Sequence, residues 1–453
     1  MPSQSAPVIS LQAPKDVSLS EINSELSKIW QSYNAGGDGQ GFTTATRAST
    51  FSLIVYEPAE TQHLLTALGY YSGPIDGING PRMQAALHAA QQIYQLPTTP
   101  YATPDLLAKL RQALVDKQQI SQDLPIPQQF AADSSAGVAD MIASQNPCRV
   151  IALCPEPGAD EGVTAQVSAY CPVQKQSRST LICCEYITLR GTEAALERVA
   201  TLVRSLTIGG LPKFVWWKTS PNENRALFDK LAAFASTVVI DSSQFLEAKS
   251  ELLTLSTLMA QGINLADLNW RRLAAWQELT AEAFDPPERR SALVEVDRVT
   301  LDYEKGNPAQ ALMFLGWLAS RLQWQPTHLV AEGGDYDILR VTLTSPNQRT
   351  IEAELAAIPV ASAGEVMGDL IDLKLASTNL NADCCTVLCS ETGGCMRMEA
   401  SGGAQACRVQ QVTPLVDQKA ETLLSQQLQR WGRDALYAES LAVTADILTL
   451  AMP

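Results

Sequence analysis

The sequence predicts a multidomain chain of α/β and α+β class. A small three-helix module comes first, then a mostly parallel α/β domain, then an α+β domain built on an antiparallel sheet. Three observations carry this reading. Lys213–Phe245 reads as strand, helix and strand; Gly69–Pro81 turns repeatedly between helical segments; and after His328 short runs alternate apolar and polar residues. Alternation with a period of two is the mark of a half-buried strand, and an unbroken apolar run that of a strand covered on both faces.

The stretch Lys213–Phe245 anchors the α/β assignment. Phe214–Trp217 is a run of β-formers suited to a strand buried on both faces. Ser220 can cap the next helix, Pro221 suits its first position, and Glu223 sits where a capping box places it. The helix is predicted over Arg225–Ala235 and leads into a second buried run, Thr237–Ile240. A strand, helix and strand of these lengths form a right-handed βαβ unit, so the domain is Rossmann-like. Trp216, Trp217 and Asp241 then fall at the carboxyl ends of the two strands, where open α/β sheets place their ligand crevice. The competing reading makes the tryptophans core and has Asp241 merely start the helix that carries Phe245.

Residues 1–50 read as a helix, Leu19–Tyr33, followed by a Gly-rich connection over Asn34–Gly41. Residues 51–118 form the helical module, with Leu64, Leu65 and Leu68 on its first helix and Thr103-Pro104 opening its third. The pattern L-x-x-L-G-Y-Y-x-G-P-I-D-G-x-x-G-P that begins at Leu65 resembles the peptidoglycan-binding-like module, whose glycines allow tight turns. Residues 119–137 read as a linker rich in small residues and proline. The α/β domain is predicted over 138–285. Its strands are Pro147–Pro155, Ala165–Val173 and Thr180–Leu189, a helix Glu193–Leu206 lies behind Thr192, and helices Gln244–Gln261 and Asn269–Phe284 follow. The α+β domain takes 286–453. There Asn307-Pro308 opens a helix through Arg321, and strands run over His328–Glu332, Asp337–Thr344, Thr350–Ile358 and Val366–Leu373. Helices Thr413–Trp431 and Asp434–Leu448 close the chain.

Composition narrows the function. A formal net charge of −15 argues against nucleic acid and anionic membrane as partners. The amino terminus shows no basic region followed by an apolar core, and no apolar run reaches membrane-spanning length, so a cytoplasmic location is expected. Wall binding is therefore disfavoured, and a structural or docking use of the helical module is expected. His63, His88 and His328 stand singly on separate elements, and no G-x-S-x-G, Walker A, G-x-G-x-x-G or H-E-x-x-H pattern occurs. A non-catalytic protein without cofactor or metal is expected. An α/β enzyme or ligand-binding protein with unrecognised chemistry near Trp216, Trp217 and Asp241 stands as the alternative. In Leu265–Trp276, Trp270, Arg271 and Trp276 could anchor a partner or an anion. The alternative there is a core tryptophan pair with solvated arginines.

Three segments carry a resemblance. Phe214-Val-Trp-Trp-Lys218, Val238-Val-Ile-Asp-Ser-Ser-Gln-Phe245 and Asp267-Leu-Asn-Trp-Arg-Arg-Leu-x-x-Trp-Gln-Glu-Leu279 resemble the glucose-6-phosphate dehydrogenase assembly protein (OpcA) family from residue 138 to the end. The module in front is similar to the cyanobacterial form. The resemblance implies a non-catalytic partner and allosteric activator of glucose-6-phosphate dehydrogenase in the oxidative pentose phosphate pathway. It also implies that thioredoxin reduces the protein and weakens activation.

The ten cysteines bear on this last point. Cys148, Cys154, Cys171, Cys183 and Cys184 lie in or near apolar strands and read as buried thiols, whereas Cys384, Cys385, Cys389, Cys395 and Cys407 crowd into one stretch. Cys389 and Cys395 flank a Gly-Gly turn. A five-residue loop would set them opposite one another, about 4.5 Å apart at Cα and within disulfide range; a two-residue turn would set Cys389 against Met398 instead. The expected regulatory pair is Cys389–Cys395. A zinc site of Cys385, Cys389, Cys395 and Cys407, or five unlinked thiols, are the alternatives.

Overall fold

The computed structural model describes residues 8–35, 44–56, 60–71, 81–99, 102–103, 105–110, 112–113, 146–156, 159–172, 180–245, 247–360, 366, 368–379, 381–382, 384–391, 395–401, 409–414 and 419–450. These sort into two units, residues 1–240 with 424–431 and residues 241–423 with 432–453.

Unit 1 is built on β1 (Val8–Val17), α1 (Ile22–Ala35), β2 (Thr44–Arg47), β3 (Ser52–Tyr56), α2 (Glu60–Ala67), α3 (Pro81–Ile93), β4 (Arg149–Pro155), β5 (Thr164–Pro172), β6 (Thr180–Gly191), α4 (Glu193–Arg198), α5 (Ala200–Leu206), β7 (Lys213–Trp217), α6 (Arg225–Ala232) and β8 (Thr237–Ile240). The strand order is β1-β5-β6-β4-β3-β7-β8, with β2 also on β6. From β6 to β8 the strands run parallel. β5 and β1 extend the sheet antiparallel. The chain builds outward from β3 through β4 to β6, then returns to the other side of β3 for β7 and β8. This is a doubly wound order whose direction reverses between β3 and β7.

The central strand β3 is buried along its whole length, yet it lies upstream of the boundary predicted at residue 138. β1, β2 and β3 all belong to this sheet, so the helical module is an insertion in the crossover from β3 to β4. Its core joins Leu64, Leu65, Tyr71, Met83, Leu87, Leu106 and Leu110. The N-terminal segment is fastened by the buried carboxylate of Glu185, which accepts from Trp30 Nε1 at 2.6 Å and Arg149 Nε at 2.8 Å and pairs with Arg47 Nη2 at 2.9 Å.

Two local expectations change. The helix after β7 begins at Arg225, behind Asn224 in the left-handed conformation (φ 47°), and has no side-chain cap; the Ser220 hydroxyl instead accepts from Asn222 N. Cys171 and Cys183 are joined in a disulfide across β5 and β6, where the register makes them neighbours with Cα atoms 4.1 Å apart, so they are not free thiols. Cys148, Cys154 and Cys184 take no part in a disulfide, and the Cys184 sulfur accepts from Cys148 N at 3.4 Å.

Unit 2 comprises α7 (Ala248–Ala260), β9 (Leu265–Asp267), α8 (Leu268–Arg272), α9 (Ala274–Ala283), α10 (Pro287–Arg290), β10 (Arg298–Glu304), α11 (Ala309–Leu322), β11 (Gln325–Gly333), β12 (Ile338–Thr344), β13 (Thr350–Ile358), β14 (Leu370–Ala376), β15 (Cys385–Glu391), β16 (Cys395–Ser401) and β17 (Val409–Pro414), with α13 (Ala435–Thr449) near its end; α12 (Ala420–Gln427) runs across the boundary at residue 424. Its large sheet has the order β11-β12-β13-β10-β14-β15-β16-β17. The sheet is antiparallel except that β10 and β13 run parallel, which corrects the wholly antiparallel expectation. α11 is buried on every side from Ala309 to Ala319 and packs on β10, β13 and α13. At Gly316 a Cβ would fall 2.5 Å from Ser440 O, so only glycine lets α13 approach this closely. Val409–Pro414 pairs with β16 as a strand, so the helix predicted from Thr413 starts later, at Ala420.

Candidate functional site

At the switch point of unit 1, β3 and β7 end side by side in Tyr56 and Trp217. A dinucleotide in such a sheet needs a glycine turn and open space at this place. Neither is found. The Tyr56 ring stacks on Trp217 with centroids 3.9 Å apart and planes 8° apart, and Phe228 closes edge-on at 5.3 Å. Tyr56 and Trp217 are fully buried. Trp217 Nε1 donates to Ser220 O at 3.0 Å, and burial pushes the Tyr56 hydroxyl pKa well up. No glycine occurs between Tyr56 and Gly69. Trp216 is also buried and carries the Lys218 ammonium 4.3 Å from its ring centre. Of the two tryptophans singled out from sequence, Trp217 packs on Tyr56 at the strand ends and Trp216 is buried against Lys218.

Unit 2 gathers a buried polar network at its start. Asp241 caps the 3-10 turn Ser242–Gln244 by accepting from Ser243 N. The Arg272 guanidinium grips Asp241 with both arms, Nη1–Oδ1 at 2.7 Å and Nη2–Oδ2 at 2.9 Å, and both residues are buried. Asp267 caps α8 by accepting from Asn269 N at 2.9 Å, and the same Oδ1 accepts from Ser242 N at 3.0 Å. Its other oxygen faces the Tyr437 hydroxyl at 3.4 Å. Gln310 Nε2 donates to Asn269 Oδ1 at 2.9 Å and to Asp369 Oδ1 at 2.5 Å. Asn307 Nδ2 donates to the carbonyls of Ser242 and Ser243. Burial, with the charge of Asp241 second, pushes the Asp267 carboxyl up to about 6, and burial also raises that of Asp369.

Two of the three sequence segments therefore meet inside unit 2, through Asp241 and Arg272. Trp270 is buried, leans on Tyr437 at 5.5 Å and donates to Asp434 Oδ2, and Trp276 is buried as well. Arg271 is half-buried. Trp216, Trp217, Trp270 and Trp276 are thus scaffold side chains, and Asp241 is spent on Arg272. Sequence reasoning chose Arg271 and passed over Arg272, Asp267, Asn269, Gln310 and Asp369. The available signal was the spacing of Asn269 and Arg272, which puts both on one helical face behind the Asp267 cap.

At the cysteine hairpin the connection between β15 and β16 is residues 392–394. The register sets Cys389 opposite Arg397 and Cys395 opposite Glu391. This is neither the five-residue loop nor the two-residue turn expected. The two cysteines occupy diagonal positions, typically about 7–8 Å apart and at the limit of disulfide reach. Their side chains, and all of Cys407, lie outside the described residues. Strand β15 is tied to α10 by Arg289, whose Nη2 donates to Thr386 Oγ1 at 2.9 Å and whose Nε donates to Ala283 O at 2.7 Å. Cys384 and Cys385 are free, and burial pushes the Cys384 thiol up to about 11. Among the described residues, no group of three His, Cys, Asp or Glu side chains is placed to hold a metal.

Comparison with known proteins settles the relationship. The glucose-6-phosphate dehydrogenase subunit N-terminal domain model matches residues 139–257, the corresponding C-terminal domain model residues 263–441, and a peptidoglycan binding domain model residues 57–110. An OxPP cycle protein OpcA of Nostoc punctiforme is 60% identical over 449 residues, covering 99% of this chain and 97% of the relative. The chain belongs to the OpcA family. Like-named proteins of Synechocystis sp. and Synechococcus elongatus are 54% and 49% identical over 99% and 97% of this chain, covering 95% and 97% of their own lengths. Among solved structures, a dehydrogenase from Chromobacterium violaceum aligns over 89% of this chain and 94% of its own at 11% identity and a TM-score of 0.32, a likeness too slight to bear on function. No described helix is long and apolar enough to cross a membrane.

Proposed function

We propose that this OpcA-family chain is a non-catalytic, redox-regulated activator and assembly partner of glucose-6-phosphate dehydrogenase in the oxidative pentose phosphate pathway, acting in the cytoplasm. The observation that carries this reading is the match of two glucose-6-phosphate dehydrogenase subunit models across residues 139–441, together with relatives of the same length named for the OxPP cycle. The Tyr56–Trp217 stack supports the non-catalytic part, since buried aromatic rings pack together at the strand ends where a dinucleotide-binding sheet carries its glycine turn, and no glycine follows Tyr56 before Gly69. The helical module inserted before β4 serves as a structural or docking element.

Cys389 and Cys395 form the regulatory pair in this proposal. A thioredoxin dithiol passes two electrons and two protons to the Cys389–Cys395 disulfide, giving two thiols here and a disulfide on thioredoxin. Because the register leaves the two positions diagonal, closing the bond shifts the hairpin, and the Arg289 contact to Thr386 carries that shift toward α10. Sedimentation of this chain with glucose-6-phosphate dehydrogenase should give a species heavier than either protein alone; independent sedimentation would reject the partnership. Peptide mapping of the oxidised chain should return Cys389 linked to Cys395, and finding both as free thiols would remove the switch.

A further inference from the structure

Asp241, Asp267 and Asp369 are gathered around one buried guanidinium, that of Arg272, and both arms of that guanidinium are engaged by Asp241. With every carboxyl ionised the interior of unit 2 would hold more negative than positive charge, and the low polarity there makes the surplus costly. We propose that this network is a proton-coupled latch, in which Asp267 takes up one proton as pH falls below neutral and tightens unit 2, and releases it as pH rises and loosens the same contacts.

The geometry says why Asp267 is the group that gives way. Asp241 has the guanidinium and the Ser243 hydroxyl at 2.6 Å. Asp267 has neutral donors, Ser242 through its N–H and side chain, Asn269 N and the Tyr437 hydroxyl. The network around it holds Asp241, Ser242 and Ser243 from the 3-10 turn, Asn269 and Arg272 from α8, Asn307 and Gln310 at the start of α11, Asp369 before β14, and Tyr437 with Asp434 from α13. Among these described groups Arg272 is the one cation. The segments joined here are distant in sequence, so the charge on one oxygen bears on the 3-10 turn, α8 and α13 together.

A carboxyl whose folded pKa is raised contributes stability that is complete below its unfolded value and is lost as pH rises through the folded value. For Asp267 that window runs from its ordinary 3.8 to about 6. Across it the folding equilibrium constant of unit 2 falls by on the order of 100-fold from this one group. The trend opposes ordinary acid denaturation, which gives the test its sign.

The experiment is hydrogen exchange by mass spectrometry on the full chain between pH 4 and 7.5, corrected for intrinsic rates, on peptides covering 241–245 and 267–272. Protection in both should fall as pH rises in the wild type, and stay flat in Asp267→Asn, whose carboxamide keeps an acceptor for Ser242 N and Asn269 N. Asp369→Asn should keep the wild-type slope. Equal slopes in the wild type and Asp267→Asn would overturn the proposal, as would a slope abolished by Asp369→Asn instead. If Asp267→Asn fails to fold, the wild type and Asp369→Asn decide: flat wild-type protection, or a slope lost in Asp369→Asn, refutes the latch, and a falling profile in both upholds it.

Discussion

Each unit buries an arginine–carboxylate pair, and the two pairs are balanced in opposite senses. In unit 1 the Glu185 carboxylate is met by Arg149, by the half-exposed Arg47 and by the Trp30 indole, so cations outnumber it and the surplus charge reaches water. In unit 2 Arg272 is surrounded by Asp241, Asp267 and Asp369, and the surplus is negative and buried. The same kind of bond thus does different work. Glu185 fastens the N-terminal α1 and β2 onto a sheet already held by apolar packing. The Arg272 network is the junction from which unit 2 begins, where removing the cation strands several acids at once.

Three substitutions sharpen this contrast, each read by urea unfolding at pH 7. The largest effect is expected for Arg272→Met, which leaves Asp241 buried without its partner and should cost about 3–5 kcal/mol. Glu185→Leu should cost less, about 2 kcal/mol, because Arg149 keeps its bond to Leu206 O and Arg47 can turn to solvent. The smallest effect has the opposite sign. Asp369→Asn removes one acid from the crowded network while keeping an acceptor for Gln310, and should stabilise by about 1 kcal/mol or less. A loss for Asp369→Asn as large as that for Arg272→Met would mean that the network is not overcharged.

How legible these features were in the sequence depends on how local they are. The βαβ unit at Lys213–Ile240, the helix start behind Thr192, and the alternating strands after His328 follow from short-range pattern, and the structure holds them. The role of β3 was not legible. Leu53–Tyr56 is a four-residue apolar run in front of a helical module, and only its pairing with β4 and β7, across an inserted module, makes it the centre of a sheet. Trp216 and Trp217 stood out correctly as unusual, but burial decides between contact and scaffold, and burial is a property of the whole fold. Arg271 and Arg272 are chemically identical neighbours, and the direction of the α8 axis alone chooses which one meets Asp241. The cysteine hairpin turned on loop length: a three-residue connection gives a register that neither simple turn predicts.

In the proposed role this chain raises the activity of another enzyme and performs no dehydrogenase chemistry of its own. The most direct measurement is a titration of the chain into a fixed amount of glucose-6-phosphate dehydrogenase, followed by NADPH formation, with the chain oxidised and again after reduction by thioredoxin. The proposed role calls for no turnover by the chain alone, a saturable rise in dehydrogenase activity with a larger effect for the oxidised form, and loss of that difference in Cys389→Ser. Turnover by the chain alone, or dehydrogenase activity unchanged in both redox states, would contradict it.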